Sequence, residues 1–162
     1  MTLLSNNWRD RAMARNKIEG DNANNVLTGG AGDDEIRGRG GSDTISGGEG
    51  NDRLRGDEGD DFLLGGGGND RLRGDKGNDT LTGGDGNDRF IFNKEGGSDT
   101  VTDFQNGLDR IDLTNFRLAN ADAALAAASQ VGDDVVFTMA GGVTFTLENV
   151  SLSALDATDF FI

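Results

Sequence analysis

The chain has 162 residues, the length of one domain, with 27 glycines, no proline, no cysteine, no histidine and a formal charge of −14. Without Cys or His there is no disulfide, no zinc–thiolate site, no Ser/His/Asp triad and no HExxH centre, and the acidic balance argues against general nucleic-acid binding. Only 34% of the residues are apolar, too few for burial alone to offset conformational entropy at this charge, so bound cations are the obvious outside source of folding energy.

Residues 1–19 read as an N-terminal extension. They lack the continuous apolar run of a cleavable signal peptide, which implies cytoplasmic residence, export without an N-terminal signal, or a fragment of a longer protein. Residues 5–17, with Trp8, Met13 and Ile18 on or near one side, suit a short amphipathic helix capping the first turn of the fold, or else a frayed linker. No stretch of the chain is long and apolar enough to span a membrane.

From Gly20 the sequence divides into eight units of nine residues, from GDNANNVLT to GGDGNDRFI. Position one is always glycine, and position four is glycine except at Ala23. Position six is Asn25 and then Asp34, Asp43, Asp52, Asp61, Asp70, Asp79 and Asp88, while position eight runs Leu27, Ile36, Ile45, Leu54, Leu63, Leu72, Leu81 and Phe90. Glycine permits positive φ and close backbone approach, so the first six residues of a unit are expected to form a tight loop. The last three form a short strand with its middle side chain inward. Two units then make one turn of a coil, and stacked turns make two parallel sheets around the position-eight ladder. Position two supports this pairing, alternating Asp21, Arg39, Asp57 and Asp75 with Gly30, Gly48, Gly66 and Gly84. Loops on one side stack at roughly the strand spacing, ~4.8 Å, and their carboxylates and carbonyls face a gap whose hard oxygens suit calcium.

The pattern GGxGxDxUx over residues 20–91 resembles the RTX (repeats-in-toxin) family, and Gly96–Phe116 is similar to the segment that comes after the repeats in serralysin-type C-terminal domains. The resemblance implies an all-β, right-handed parallel β-roll, of about four turns here, that folds on extracellular calcium after type I secretion. It also implies that each ion lies between one loop and the loop two units later. The earlier loop supplies carbonyls of positions two and four with the carboxylate of position six, and the later one supplies carbonyls of positions one and three. Carried onto this chain, Gly30, Gly32 and Asp34 act with Gly47 and Glu49, and Arg39, Gly41 and Asp43 with Gly56 and Glu58. Gly48, Gly50 and Asp52 act with Gly65 and Gly67, Asp57, Gly59 and Asp61 with Gly74 and Lys76, and Gly66, Gly68 and Asp70 with Gly83 and Asp85. Asp75, Gly77, Asp79, Asp88 and Asp99 prolong the series. Asn25, with Gly38 and Gly40, marks a first position expected to be weak or empty, because Asn replaces Asp and Ala23 replaces Gly. About six ions are expected in all.

The two sheet faces differ. One is expected to show Arg37, Arg53, Arg55, Arg71, Arg73 and Arg89 as a basic stripe, and the other carries Val26/Thr28, Thr44/Ser46, Phe62/Leu64 and Thr80/Thr82 without charge. Arg53, Arg55, Arg71 and Arg73 are candidates for binding an anionic polysaccharide, as the similar nonapeptide modules of alginate epimerases do. The alternative is a solvated face whose arginines pair with loop carboxylates.

Residues 92–162 read as a C-terminal capping and secretion-signal region. Ser98–Val101 resembles one more unit displaced by two residues, and Asp99, Asp103, Asp109 and Asp112 are either further ligands or cap carboxylates. Asn120 is the expected N-cap of an alanine-rich helix through about Ser129. Alternating Val135, Phe137, Met139 and Val143, Phe145, Leu147 around Gly141-Gly142 predict a β-hairpin. The terminal Asp159-Phe160-Phe161-Ile162 resembles the end of type I secretion substrates, or is a strand closing the cap. The expectation is a secreted, non-enzymatic calcium-binding module, either acting alone or as the C-terminal non-catalytic part of a secreted protease, lipase or epimerase.

Overall fold

The computed structural model describes residues 15–162. The helix expected over residues 5–17 lies mostly outside them. Its last residue, Lys17, opens a strand instead.

The repeats fold as successive strands: β1 (Lys17–Glu19), β2 (Val26–Ala31), β3 (Glu35–Gly40), β4 (Thr44–Glu49), β5 (Arg53–Glu58), β6 (Phe62–Gly67), β7 (Arg71–Lys76), β8 (Thr80–Asp85) and β9 (Arg89–Ile91). They are succeeded by β10 (Ser98–Val101) and β11 (Arg110–Asp112). Odd and even strands fall into different parallel sheets, so alternate strands stack. Register advances by eighteen residues per turn: Leu27, Ile45, Leu63 and Leu81 align in one sheet, and Ile18, Ile36, Leu54, Leu72 and Phe90 in the other. These position-eight side chains fill the space between the sheets. They are fully buried from Ile36 onward, while Ile18 and Leu27 at the first turn are only partly covered.

Strands β2 to β8 are six residues long, not three. Each continues through the first three positions of the next unit, and Gly30–Gly48 and Gly66–Gly84 are paired ladder positions. The tight turn is therefore confined to positions four to six. The turns lie on two edges of the roll, one carrying Asp43, Asp61 and Asp79, the other Asp34, Asp52, Asp70 and Asp88.

The roll extends beyond the eight units. At its start β1 adds a strand, Ile18 aligned with Ile36. At its end β10 aligns with β8 at a spacing of twenty residues (Thr100 with Thr80), and β11 with β9 at twenty-one (Ile111 with Phe90). Phe92 explains the slip. It occupies position one, where every preceding unit has glycine, and its ring enters the core to stack on Phe145 with centroids 4.0 Å apart.

Beyond Phe116 the chain caps this end. Helix α1 (Ala121–Leu125) starts at Asn120, whose side chain accepts from the Ala123 N–H at 3.0 Å. It stops short of the expected Ser129, because Ala128–Val131 forms strand β12, antiparallel to β13 (Asp134–Thr138). Alanine's helix preference amounts to only tenths of a kcal/mol per residue, and tertiary pairing overrides it. Gln130 secures this edge: its amide donates to the carbonyls of Gly132, Asp134 and Val150, and its oxygen accepts from the Leu152 N–H. The hairpin forms as expected. β13 and β14 (Thr144–Leu147) pair Val135 with Leu147 and Phe137 with Phe145, turning through Gly141 and Gly142 at positive φ. β14 also lies parallel to β10, and β15 (Phe160–Phe161) parallel to β11, so both sheets run on into the cap. Phe92, Phe137, Phe145 and Phe160 form its aromatic core.

Candidate metal centre

Each position-six aspartate folds back under its own turn. Asp34, Asp43, Asp52, Asp61, Asp70, Asp79 and Asp88 are 0–3% exposed. One oxygen of each, Oδ1, accepts the backbone N–H of the residue eighteen positions earlier, as Asp52 does from Asp34 at 2.7 Å and Asp70 from Asp52 at 2.8 Å. The series begins at Asn16, which donates to Asp34, and continues past the slip with Asp99 accepting from Asp79 and Asp109 from Asp88.

The other oxygen, Oδ2, has no partner in any of the seven. A buried, unpaired carboxylate oxygen is costly once and not sustainable seven times in a row without positive charge beside it. Burial pushes Asp61 and Asp70 up to about 7 and Asp79 and Asp88 up to about 6, against the opposing effect of the backbone N–H that each accepts. Asp99 is likewise pushed up to about 7 by burial.

Position-one glycine shows where the free oxygen points. A Cβ on Gly47 would fall against Asp52 Oδ2 and 2.7 Å from the carbonyl oxygen of Gly65. The same cradle recurs at Gly29, Gly38, Gly56 and Gly65, where the added atom would meet Oδ2 of Asp34, Asp43, Asp61 or Asp70 and lie 2.5–2.9 Å from the carbonyls of Gly47, Gly56, Gly74 and Gly83. The free carboxylate oxygen of one loop and the position-one carbonyl of the loop two units later thus border one small space. Among the described residues no three acidic side chains converge, so each space offers one carboxylate with backbone carbonyls. This all-oxygen donor set fits calcium and would suit neither zinc nor copper.

The remaining candidate ligands are placed unequally. Position-four Gly32, Gly41, Gly50, Gly59, Gly68 and Gly77 all have positive φ, as do Gly30, Gly48 and Gly66 at position two. Arg39, Asp57 and Asp75 hold the same conformation at φ 83, 80 and 79 despite having side chains. The position-three carbonyls of Glu49, Gly67, Lys76 and Asp85 already accept N–H groups of Gly32, Gly50, Gly59 and Gly68 at 2.7–2.9 Å, leaving one lone pair each.

The first loop differs. Asp21 and Ala23 are absent from the left-handed region, the Asn25 side-chain oxygen accepts from the Asp21 N–H at 2.9 Å, and Asp21 accepts from the Ala23 N–H at 2.9 Å. At the other end Asp99 and Asp109 sit in the carboxylate ladder, whereas Asp103 accepts from the N–H groups of Gly83 and Gly84, and Asp112 from Arg89 and Thr114.

The arginine face resolves into two rows. Arg37, Arg55 and Arg73 turn toward the position-two carboxylates: Asp57 accepts from Arg37 and forms an ion pair with Arg55 (2.6 Å), and Asp75 accepts from Arg55 and from Arg73 (2.6 Å). Arg89 pairs with Asp112 and lies 4.1 Å over the Phe161 ring. Arg53 and Arg71 are exposed and form no ion pair among the described residues. These contacts match the alternative of arginines paired with loop carboxylates: Arg55–Asp57 and Arg73–Asp75 lie two residues apart on one strand, while Arg37–Asp57 and Arg55–Asp75 run diagonally between strands a full turn apart, where local sequence gives no sign of them.

Stacked glycine-first turns with one unpartnered carboxylate oxygen per loop define a calcium-binding parallel β-roll. The family model for the RTX calcium-binding nonapeptide repeat (4 copies) matches residues 19–54, 37–72 and 64–93, and over this stretch the chain carries RTX repeats, which are calcium-binding, non-catalytic modules. No curated protein matches the sequence. Among solved structures, the AlgE6R3 subunit of the Azotobacter vinelandii mannuronan C5-epimerase is 27% identical with a TM-score of 0.54, over 85% of this chain and 78% of that one. The AlgE6R2 subunit of the same epimerase is 22% identical with a TM-score of 0.49, over 93% of this chain and 92% of that one. The extracellular lipase LipA of Serratia marcescens is 18% identical with a TM-score of 0.45, and the match spans 92% of this chain but 40% of the lipase. Among the described residues no helix is long and apolar enough to cross a membrane.

Proposed function

We propose that this chain is a secreted folding module that leaves the cell unfolded through a type I exporter and closes into its roll on meeting extracellular calcium. The observation that carries this reading is the row of seven buried carboxylate oxygens without a partner. In the absence of cations these charges oppose stacking, and with cations the binding free energy becomes folding free energy. Extracellular calcium modules typically bind at ~10⁻⁴–10⁻³ M, a range that separates the two compartments. We assign about six ions, which would bring about +12 against the chain's −14. The loop of Asn25 stays weak or empty, since its side-chain oxygen is engaged by its own backbone. Equilibrium dialysis tests the count: about six calcium ions per chain is expected, and one or two would contradict the assignment.

We further assign contact with an anionic polysaccharide to the unpaired Arg53 and Arg71, while Arg55 and Arg73 act through their carboxylate partners. The likeness to a subunit of a mannuronan C5-epimerase supports this choice of polymer. Alginate binding at low salt with calcium present should weaken on replacing Arg53 and Arg71 with Gln. Undetectable binding by the parent chain would contradict it. The second reading, a non-catalytic module at the C-terminal end of a secreted enzyme, is supported by the same likeness, since AlgE6R3 is itself one subunit of an epimerase.

A further inference from the structure

The two edges of the roll are built differently. On the edge of Asp34, Asp52, Asp70 and Asp88, position two is glycine, and the side-chain ties between turns come from position five, where Asp33 accepts from Asn51 and Asn51 from Asn69, as well as from the position-six ladder. On the edge of Asp43, Asp61 and Asp79, position two is Arg39, Asp57 and Asp75 in turn, all in a left-handed conformation that glycine would adopt without strain, and the two aspartates are 8% exposed each. Each carboxylate is shared between arginines of two successive turns, so Arg37, Asp57, Arg55, Asp75 and Arg73 form one continuous alternating ladder, and Asn93 donates to its last carboxylate at 2.6 Å. Asp57 and Asp75 stand two residues before Gly59 and Gly77, at the entrance to the turns of Asp61 and Asp79.

We propose that Asp57 and Asp75 are positioning residues whose shared carboxylates hold the turns of Asp61 and Asp79 in place, so that this edge retains calcium more tightly than the edge with glycine at position two. The inference rests on the calcium reading. A loop further fixed by part-buried, charge-assisted pairs at position two loses less freedom when it takes up an ion, whereas a loop with glycine at position two lacks these pairs and depends more on the ion for its order. Burial of the carboxylates protects the pairs from the solvent screening that weakens surface salt bridges.

The test withdraws calcium stepwise from the loaded full-length chain while amide resonances report each edge: Gly59 and Gly77 for one, Gly50 and Gly68 for the other. In the parent chain Gly50 and Gly68 should lose their bound signals first. Replacing Asp57 and Asp75 with Asn keeps tolerance of positive φ and removes the charge. This should weaken retention at Gly59 and Gly77 roughly tenfold, and at Gly50 and Gly68 by less. Arg55→Gln removes the cation that Asp57 and Asp75 share, and should act in the same direction. Arg53→Gln with Arg71→Gln should move neither edge. Simultaneous loss at both edges of the parent chain, or an equal shift at both edges in the variants, overturns the proposal. The parent-chain comparison decides the matter even if a variant does not fold. Failure of any of these amides to respond to calcium would instead overturn the calcium reading itself.

Discussion

The two oxygens of a position-six aspartate have separate tasks. Oδ1 closes a hydrogen bond to the turn before it, and Oδ2 is held dry and free toward the space shared with the next turn's carbonyl. Asp61→Asn should therefore have opposite effects in two conditions. It removes a calcium ligand, so the calcium midpoint should rise several-fold. It also removes a buried like charge, so in chelator the variant should be no less structured than the parent. Ellipticity measured in both conditions checks this, and a fall in both would contradict it. Gly47→Ala places a methyl where Asp52 Oδ2 and the Gly65 carbonyl meet, and overpacking of this kind costs about 1–3 kcal/mol. Urea unfolding in saturating calcium should show this loss. At this scale the ladder was legible, because a period of nine repeats it down the chain. Asn16 was not, since its position-six role is marked only by the Asp34 oxygen that accepts its N–H.

At the scale of elements, a strict nonapeptide implies strand and loop but leaves open how they divide. Glycine at positions one and two suggested loop, yet those residues run on in the ladder: position one is glycine because a side chain there would collide with the position-six carboxylate, and Gly48, Gly66 and Gly84 at position two take positive φ against the carbonyl of the turn before. The hairpin was legible from alternating Val, Phe and Leu around two glycines. The helix end was not, because β12 is specified by pairing with β13 and by the Gln130 contacts rather than by local preference. Phe145 is fully buried and stacked between Phe92 and Phe137, with centroids 4.0 and 4.4 Å away. Phe145→Ala should cost about 3–5 kcal/mol in calcium-saturated denaturation. A loss below about 1 kcal/mol would show that the cap is not the apolar anchor of the roll.

For the whole molecule, composition and structure lead to the same conclusion. A chain with 34% apolar residues and a charge of −14 builds a core one aliphatic side chain wide and lines it with buried carboxylates. Its stability must then depend on pH as well as on metal. In the metal-free roll burial raises Asp61, Asp70 and Asp99 to about 7 and Asp79 and Asp88 to about 6, above the ordinary unfolded value of ~3.9. Folding without metal therefore takes up protons. That contribution is complete below about pH 4 and is lost as pH rises through 6–7. Without calcium, β structure should be favoured at about pH 4.5 over pH 8. With calcium, protons compete for the same oxygens, so the midpoint should move to higher calcium as pH falls from about 8 to 5.5. The most direct test is a calcium titration at neutral pH monitored by far-ultraviolet circular dichroism. The chain should be largely unfolded in excess chelator and become β-structured as calcium approaches ~10⁻⁴–10⁻³ M. The same β spectrum in chelator and in calcium would contradict calcium-driven folding.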